Sequence, residues 1–226
     1  MRRWIGTILL LVVVGGLSGC FLFPGSGGAQ SQLLYSEGFS NPDDSGWYQG
    51  EDPGWEWAIT GGRYYGWVID EDSLDYVYDG SASGLTDGRF QAKTGQLGAA
   101  TDHSWGLILR AAGQSFYAFE ISADGYVLFA VHTATGWDHL YGWEPCPAIR
   151  SAGETNEIRV DADGSSFSLY VNGQFITEVT DTRLSSGSVG FIIETWVDAE
   201  GGVWFDDLEV WSLGEEGGGS GGILPI

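Results

Sequence analysis

Residues 167–178 read Phe167-Ser-Leu-Tyr-Val-Asn172-Gly173-Gln-Phe-Ile-Thr-Glu178. Two alternating runs flank Asn172-Gly173, and a two-residue Asn-Gly loop between such runs is the strongest short-range signal for a β-hairpin. A two-residue turn fixes the register, setting Leu169 opposite Ile176 and, on the other face, Tyr170 opposite Phe175. Upstream, Glu157-Ile-Arg-Val-Asp161 alternates charged and β-branched residues. Downstream, Gly190-Phe-Ile-Ile193 and Val203-Trp-Phe-Asp-Asp-Leu-Glu-Val-Trp211 supply two further strands, so residues 156–211 read as an antiparallel meander.

The middle of the chain has the same grammar. Trp105-Gly-Leu-Ile-Leu-Arg110, Phe116-Tyr-Ala-Phe-Glu-Ile121 and Tyr126-Val-Leu-Phe-Ala-Val131 are three successive strands, the last two joined at Ala123-Asp124-Gly125, another tight-turn signal. No segment has a helical period. Strands are expected near 33–39, 55–59, 63–69, 74–79, 86–94, 104–111, 116–122, 126–132, 156–162, 166–171, 174–180, 187–194 and 202–211. The expected fold class is all-β, a two-sheet antiparallel β-sandwich over residues 33–212.

The order Asn156, Arg159-Val160, Leu169-Tyr-Val-Asn-Gly173, Asp181, Gly187-Ser-Val-Gly-Phe191 and Phe205-Asp-Asp-Leu-Glu-Val210 resembles the C-terminal half of concanavalin A-like jelly rolls. It is most similar to laminin-G-like and 3-keto-disaccharide hydrolase-like domains of bacterial secreted proteins. Tyr35-Ser-Glu-Gly-Phe39 and Gly46-Trp47 resemble the opening strand of that group, so the resemblance spans about 35–211. It implies that the middle meander lies on the concave sheet, where lectins and glucanases of this shape hold sugar. A shared fold specifies function poorly.

Before the sandwich come a basic Met1-Arg2-Arg3, an apolar Trp4 to Val14 and Leu17-Ser18-Gly19-Cys20, the three regions of a signal peptide over residues 1–19. The apolar region is short for a membrane-spanning helix, which needs about 20 residues. Leu-Ser-Gly-Cys resembles the lipobox of bacterial lipoproteins, in which Cys20 becomes the lipidated first residue; an ordinary secretory signal is the alternative. Multiple acyl chains on Cys20 would anchor the mature chain stably, at about 0.8 kcal/mol per buried methylene. The expected location is the outward side of a cell membrane, extracellular or periplasmic. Residues 20–32 include the Gly/Ser tether Pro24-Gly-Ser-Gly-Gly28, and residues 213–226 form a second Gly-rich tail, expected to be disordered.

Removing residues 1–19 leaves 7 Lys and Arg against 31 Asp and Glu, a formal charge of −24. That excess speaks against nucleic acid and anionic lipid headgroups as partners, since both need basic patches. With Cys20 lipidated, Cys146 has no partner for an intrachain disulfide. It reads as an inert packing residue or, between Pro145 and Pro147, as a reactive thiol without a basic neighbour.

Glucanases of the resembled fold carry Glu-x-Asp-x-(x)-Glu on one strand, and no such spacing occurs here. Glu157, Arg159 and Asp161 share a strand face, but the intervening arginine would depress both carboxyl pKa values, which suits a solvated ion-paired face. His103, His132 and His139 show no metal-ligand spacing, and there is no Gly-x-Ser-x-Gly elbow. These absences lean away from an enzyme.

Aromatic rings stack on the apolar faces of sugars. Trp137, Asp138, His139, Tyr141 and Trp143, together with Trp196, are the candidate ligand-binding residues. Members of the resembled group often place a Trp-x-x-Leu and a second aromatic at 137–143, so packing at the sandwich edge is the alternative there. A metal candidate lies at the chain ends. Phe205 and Leu208 have opposite parity, so both face the core only if a bulge forms near Asp206-Asp207. The final strand of the resembled fold lies beside the first, which brings Asp206 toward Glu37, Asn41 and Asp43. Those oxygens would suit a structural Ca²⁺, or Asp206 clasps the N-terminal segment by hydrogen bonds alone.

Two functions from different classes follow. The first is a non-catalytic recognition module for a glycan or envelope polysaccharide; the second, implied by the resemblance, is a hydrolase of the 3-keto-disaccharide type. A structural envelope protein is the third.

Overall fold

The computed structural model describes residues 30–43, 46–68, 70–196 and 201–214. Its elements are β1 (Leu33–Glu37), β2 (Gly50–Asp52), β3 (Trp55–Thr60), β4 (Arg63–Val68), β5 (Leu74–Tyr78), β6 (Gly88–Leu97), β7 (His103–Ala112), β8 (Ser115–Ser122), β9 (Tyr126–Thr133), β10 (Gly136–Pro145), β11 (Asn156–Asp163), β12 (Ser166–Val171), β13 (Gln174–Thr180), β14 (Ser188–Thr195) and β15 (Gly201–Trp211). There is no helix among the described residues, and none long and apolar enough to cross a membrane. The signal peptide expected over residues 1–19, Cys20 and the tail beyond Gly214 lie outside the described residues.

The strands form two antiparallel sheets packed as a sandwich. One runs β13-β12-β11-β6-β15-β4-β3-β2, with β1 against the C-terminal half of β15, and the other runs β10-β9-β8-β7-β14-β5. Every expected strand forms within a few residues of its expected limits, and β2 and β10 join them.

Alternation builds the core. Ile158, Val160 and Ala162 of β11 and Phe167, Leu169 and Val171 of β12 are fully buried, while the intervening Arg159 and Asp161 face outward and pair at 3.1 Å. Facing them, β7, β8, β9 and β14 bury Leu107, Phe119, Phe129 and Phe191. Phe191 stacks on Phe205 at 4.0 Å, joining the two layers. Each such ring contributes about 1.5–3 kcal/mol by leaving water. Cys146 is buried in the same core.

At the Asn-Gly hairpin, Asn172 and Gly173 have φ of 50° and 76°, the left-handed pair that a type I′ turn requires. Tyr170 pairs with Phe175, as expected, but Leu169 pairs with Thr177 rather than Ile176. A bulge between Leu169 and Tyr170 accounts for the slip, because one extra residue on β13 offsets the pairing beyond it.

The parity conflict in β15 is resolved as the sequence implies. Register shifts between Asp206 and Glu209, Asp207 takes φ 47°, and Phe205 and Leu208 are both fully buried. The first strand lies beside the last, with Glu37 opposite Leu208. The metal expectation meets a different environment. Asp206 has Arg63 at 4.0 Å and accepts the Asp207 N–H, Glu37 accepts the Phe39 N–H at 2.6 Å, and Asn41 accepts the Asp43 N–H. Among the described residues no three His, Cys, Asp or Glu side chains converge on a metal-sized site. A guanidinium thus stands beside Asp206, at the place expected for Ca²⁺.

The sandwich has two distinct ends. At one, Gln32 and Ser212 exchange hydrogen bonds through Gln32 N–H to Ser212 Oγ and Ser212 N–H to Gln32 O, both 2.8 Å. At the other, β7 starts, β14 ends and β15 starts, and a Cβ on Gly201 would lie 3.0 Å from His103 Cβ and from Thr195 Cγ2. The strands that carry the candidate site all reach this second end.

Candidate functional site

Strand β10, absent from the sequence expectations, separates the aromatic candidates instead of gathering them. It pairs with β9 through two register shifts, between His139 and Tyr141 and between Tyr141 and Glu144. Trp137 therefore belongs to one end of the outer sheet face. Its ring meets Phe116 edge-on at 5.6 Å and His132 at 5.0 Å. Asp138 accepts from Arg183 Nη1 at 2.8 Å, His139 is exposed beside Ala130, and Tyr141 turns inward against the core. The expected rim from 137 to 143 is not one surface, because the two shifts reverse which side chains face out.

Trp143 reaches the other end. There it meets Trp196, from the segment after β14, at 5.4 Å and 89°. The perpendicular indoles, with Ser122, Asp124 and Tyr126, line an open cavity of about 280 Å³. The β8–β9 turn holds its floor: Ser122 Oγ donates to Asp124 and accepts the Tyr126 N–H at 2.9 Å. Trp196 is fixed through its backbone, donating to Asp102 O at 2.9 Å and accepting from Asp72 N at 3.2 Å. Two aromatic walls with a carboxylate at the rim can stack a sugar ring and accept bonds from its hydroxyls.

Behind this cavity lies a pair of carboxyls that sequence reasoning missed. On the outer face of the six-stranded sheet, Glu120 of β8 pairs with Gly106 of β7, and Glu194 of β14 pairs with the neighbouring Ser104. Glu120 is fully buried; Ser104 Oγ donates to its Oε2 at 2.6 Å, and its Oε1 has no partner. Burial, then the nearby Glu194 carboxyl, pushes the Glu120 pKa up to about 8, against the opposing pull of the Ser104 bond. Burial also raises Glu194. At neutral pH the pair therefore holds a proton, centred on Glu120. The sequence signal was a glutamate at the parity of Phe116 and Ala118 in an otherwise apolar strand. A search confined to acids on one strand passes over it.

A larger trough of about 780 Å³ crosses the outer face of the nine-stranded sheet near the joined ends. Four of its polar groups are engaged with one another: Arg89 with Asp161, and Ser168 with Glu178. Its one ring, Tyr170, lies under Arg159 at 3.7 Å. It offers no free stacking face, so the indole cavity is the better site.

The sequence matches no protein-family model and no curated protein. The fold does match solved structures. One is the carbohydrate-binding module CBM66 from Bacillus subtilis, at 18% identity and TM-score 0.57 over 69% of this chain and 93% of that one. Another is the kappa-carrageenase from Pseudoalteromonas carrageenovora, at 11% identity and TM-score 0.58 over 87% and 99%. A Bacillus licheniformis beta-glucanase is similar at 11% identity and TM-score 0.58 over 82% and 98%. The chain has the concanavalin A-like jelly-roll fold that its sequence resembles.

Proposed function

We propose that this jelly-roll domain is a non-catalytic glycan-recognition module, held on the outward side of a membrane by lipid on Cys20. The observation that carries the reading is the right-angled pair Trp143 and Trp196 around an open cavity with Asp124 at its rim. That arrangement supplies apolar stacking area and a hydrogen-bond acceptor together, which a sugar ring needs. The likeness to a carbohydrate-binding module is in keeping with it.

Glu120 and Glu194 favour a second reading, a glycosidase-like hydrolase. One carboxyl kept protonated by its surroundings beside another is how acid and base roles are divided in glycoside hydrolysis. Against it, Glu120 is fully buried, and a general acid must come within hydrogen-bond reach of the oxygen it protonates. The purified protein, screened on a glycan array with each bound glycan assayed for hydrolysis, separates the two. Binding without turnover supports recognition. Turnover that disappears in Glu194→Gln would instead establish the hydrolase, and absence of binding to any glycan would leave an envelope-structural role.

A further inference from the structure

All seven lysines and arginines after Arg3 fall within the described residues, and none lines the indole cavity. Four sit on the nine-stranded sheet. Arg63 lies over Trp204 at 3.8 Å and beside Asp206, Arg89 and Arg159 share Asp161, and Lys93 holds Asp207 at 2.6 Å. The other three also lie outside the cavity lining, the Arg150 side chain being exposed with a single backbone partner. Arg110 is buried and donates to the carbonyls of Thr86, Leu184 and Gly164; Arg150 donates to Thr155 O; Arg183 bridges Asp138 and Asp181. Among the described residues the charged group lining the cavity is Asp124, with Glu194 two residues before Trp196.

A sulfate or carboxylate brought to this site would be stripped of water with no cation to replace it, in the field of a strongly acidic chain. An uncharged ring loses nothing by this. A protonated amino group gains, because indole faces attract cations and Asp124 adds a carboxylate. Resting on the glycan reading above, we infer that the cavity selects its sugar by charge. It takes neutral or ammonium-bearing sugars and rejects those carrying carboxylate or sulfate.

Quenching of indole fluorescence tests the charge without knowledge of the sugar. Relative to its quenching of free tryptophan, caesium is expected to quench the full chain more strongly than iodide, and the difference should shrink in Trp143→Phe and Trp196→Phe. Iodide quenching those two indoles as strongly as caesium on that normalised scale overturns the inference. On an array of neutral, amino, carboxylated and sulfated oligosaccharides, the bound set should be neutral and amino. Glucosamine oligomers should bind up to about tenfold more tightly than N-acetylglucosamine oligomers, the upper range of a cation–π gain, and Asp124→Asn should narrow that ratio. A bound set dominated by carboxylated or sulfated glycans overturns the charge selection while upholding glycan recognition. Caesium preference with no glycan bound overturns the glycan reading and the inference with it.

Discussion

Trp137 and Trp143 share a strand but have opposite prospects. Trp143 and Trp196 wall an open cavity, so replacing either by alanine should weaken glycan binding by about 1–3 kcal/mol and leave the melting temperature nearly unchanged. Trp137, 38% exposed, covers the fully buried Phe116. Trp137→Ala should therefore lower the melting temperature, through lost packing of about 1–3 kcal/mol, without altering binding. Isothermal titration beside calorimetric melting distinguishes the two outcomes. Glu120 gives a pH prediction with a definite sign. Its folded pKa of about 8 lies above the ordinary 4.5, so between those values the folded chain binds more protons than the unfolded one. Its contribution to stability is thus highest below pH 4.5 and falls as pH rises to about 8, by up to about 1.4 kcal/mol per pH unit. Denaturant titrations across this range should show the decline, and Glu120→Gln should flatten it. With Arg63 beside Asp206, millimolar calcium and a chelator should give the same melting temperature.

The hairpin shows what an element owes to single residues. Asn172 holds a left-handed φ while its side chain donates to Ala148 O and Asn156 Oδ1 and accepts the Glu157 N–H. Asn172→Ala removes these bonds and strains the turn, so stability should fall by about 2–4 kcal/mol, read as a lower urea midpoint at unchanged slope. This element was legible because a two-residue Asn-Gly allows few geometries, and the β15 bulge was legible because Phe205 and Leu208 cannot otherwise both reach the core. The Leu169 register was not, since nothing in the β13 composition marks its extra residue. Strand β10 was hidden for a related reason. Two shifts break its alternation, and it lies at a sheet edge where few of its side chains are buried. The indole pair joins β10 to a segment far along the chain, and the carboxyl pair joins β8 to β14. Only the sheet order brings either pair together.

For the whole molecule, the proposed attachment is checked by Cys20→Ser. The variant should appear in the soluble fraction and lose labelling by a fatty-acid analogue. The two ends of the sandwich then acquire a meaning. The chain enters at Gln32, beside Ser212, whereas the indole cavity lies where β15 begins. The 11 residues of that strand span about 35 Å at about 3.3 Å each. If Cys20 carries the proposed lipid, the 12 residues from Phe21 to Gln32 allow a reach of up to about 40 Å, enough for the cavity to stand clear of the membrane surface. Tension between a polymer captured in the proposed site and that surface would run along the strands. It loads β1 lengthwise against β15, so the ladder from Tyr35 to Glu37 bears the load in shear, its hydrogen bonds straining together instead of unzipping in turn. Under the proposed attachment, the clasp of first strand on last would act as a mechanical joint, aligned with the pull on a tethered glycan-binding domain.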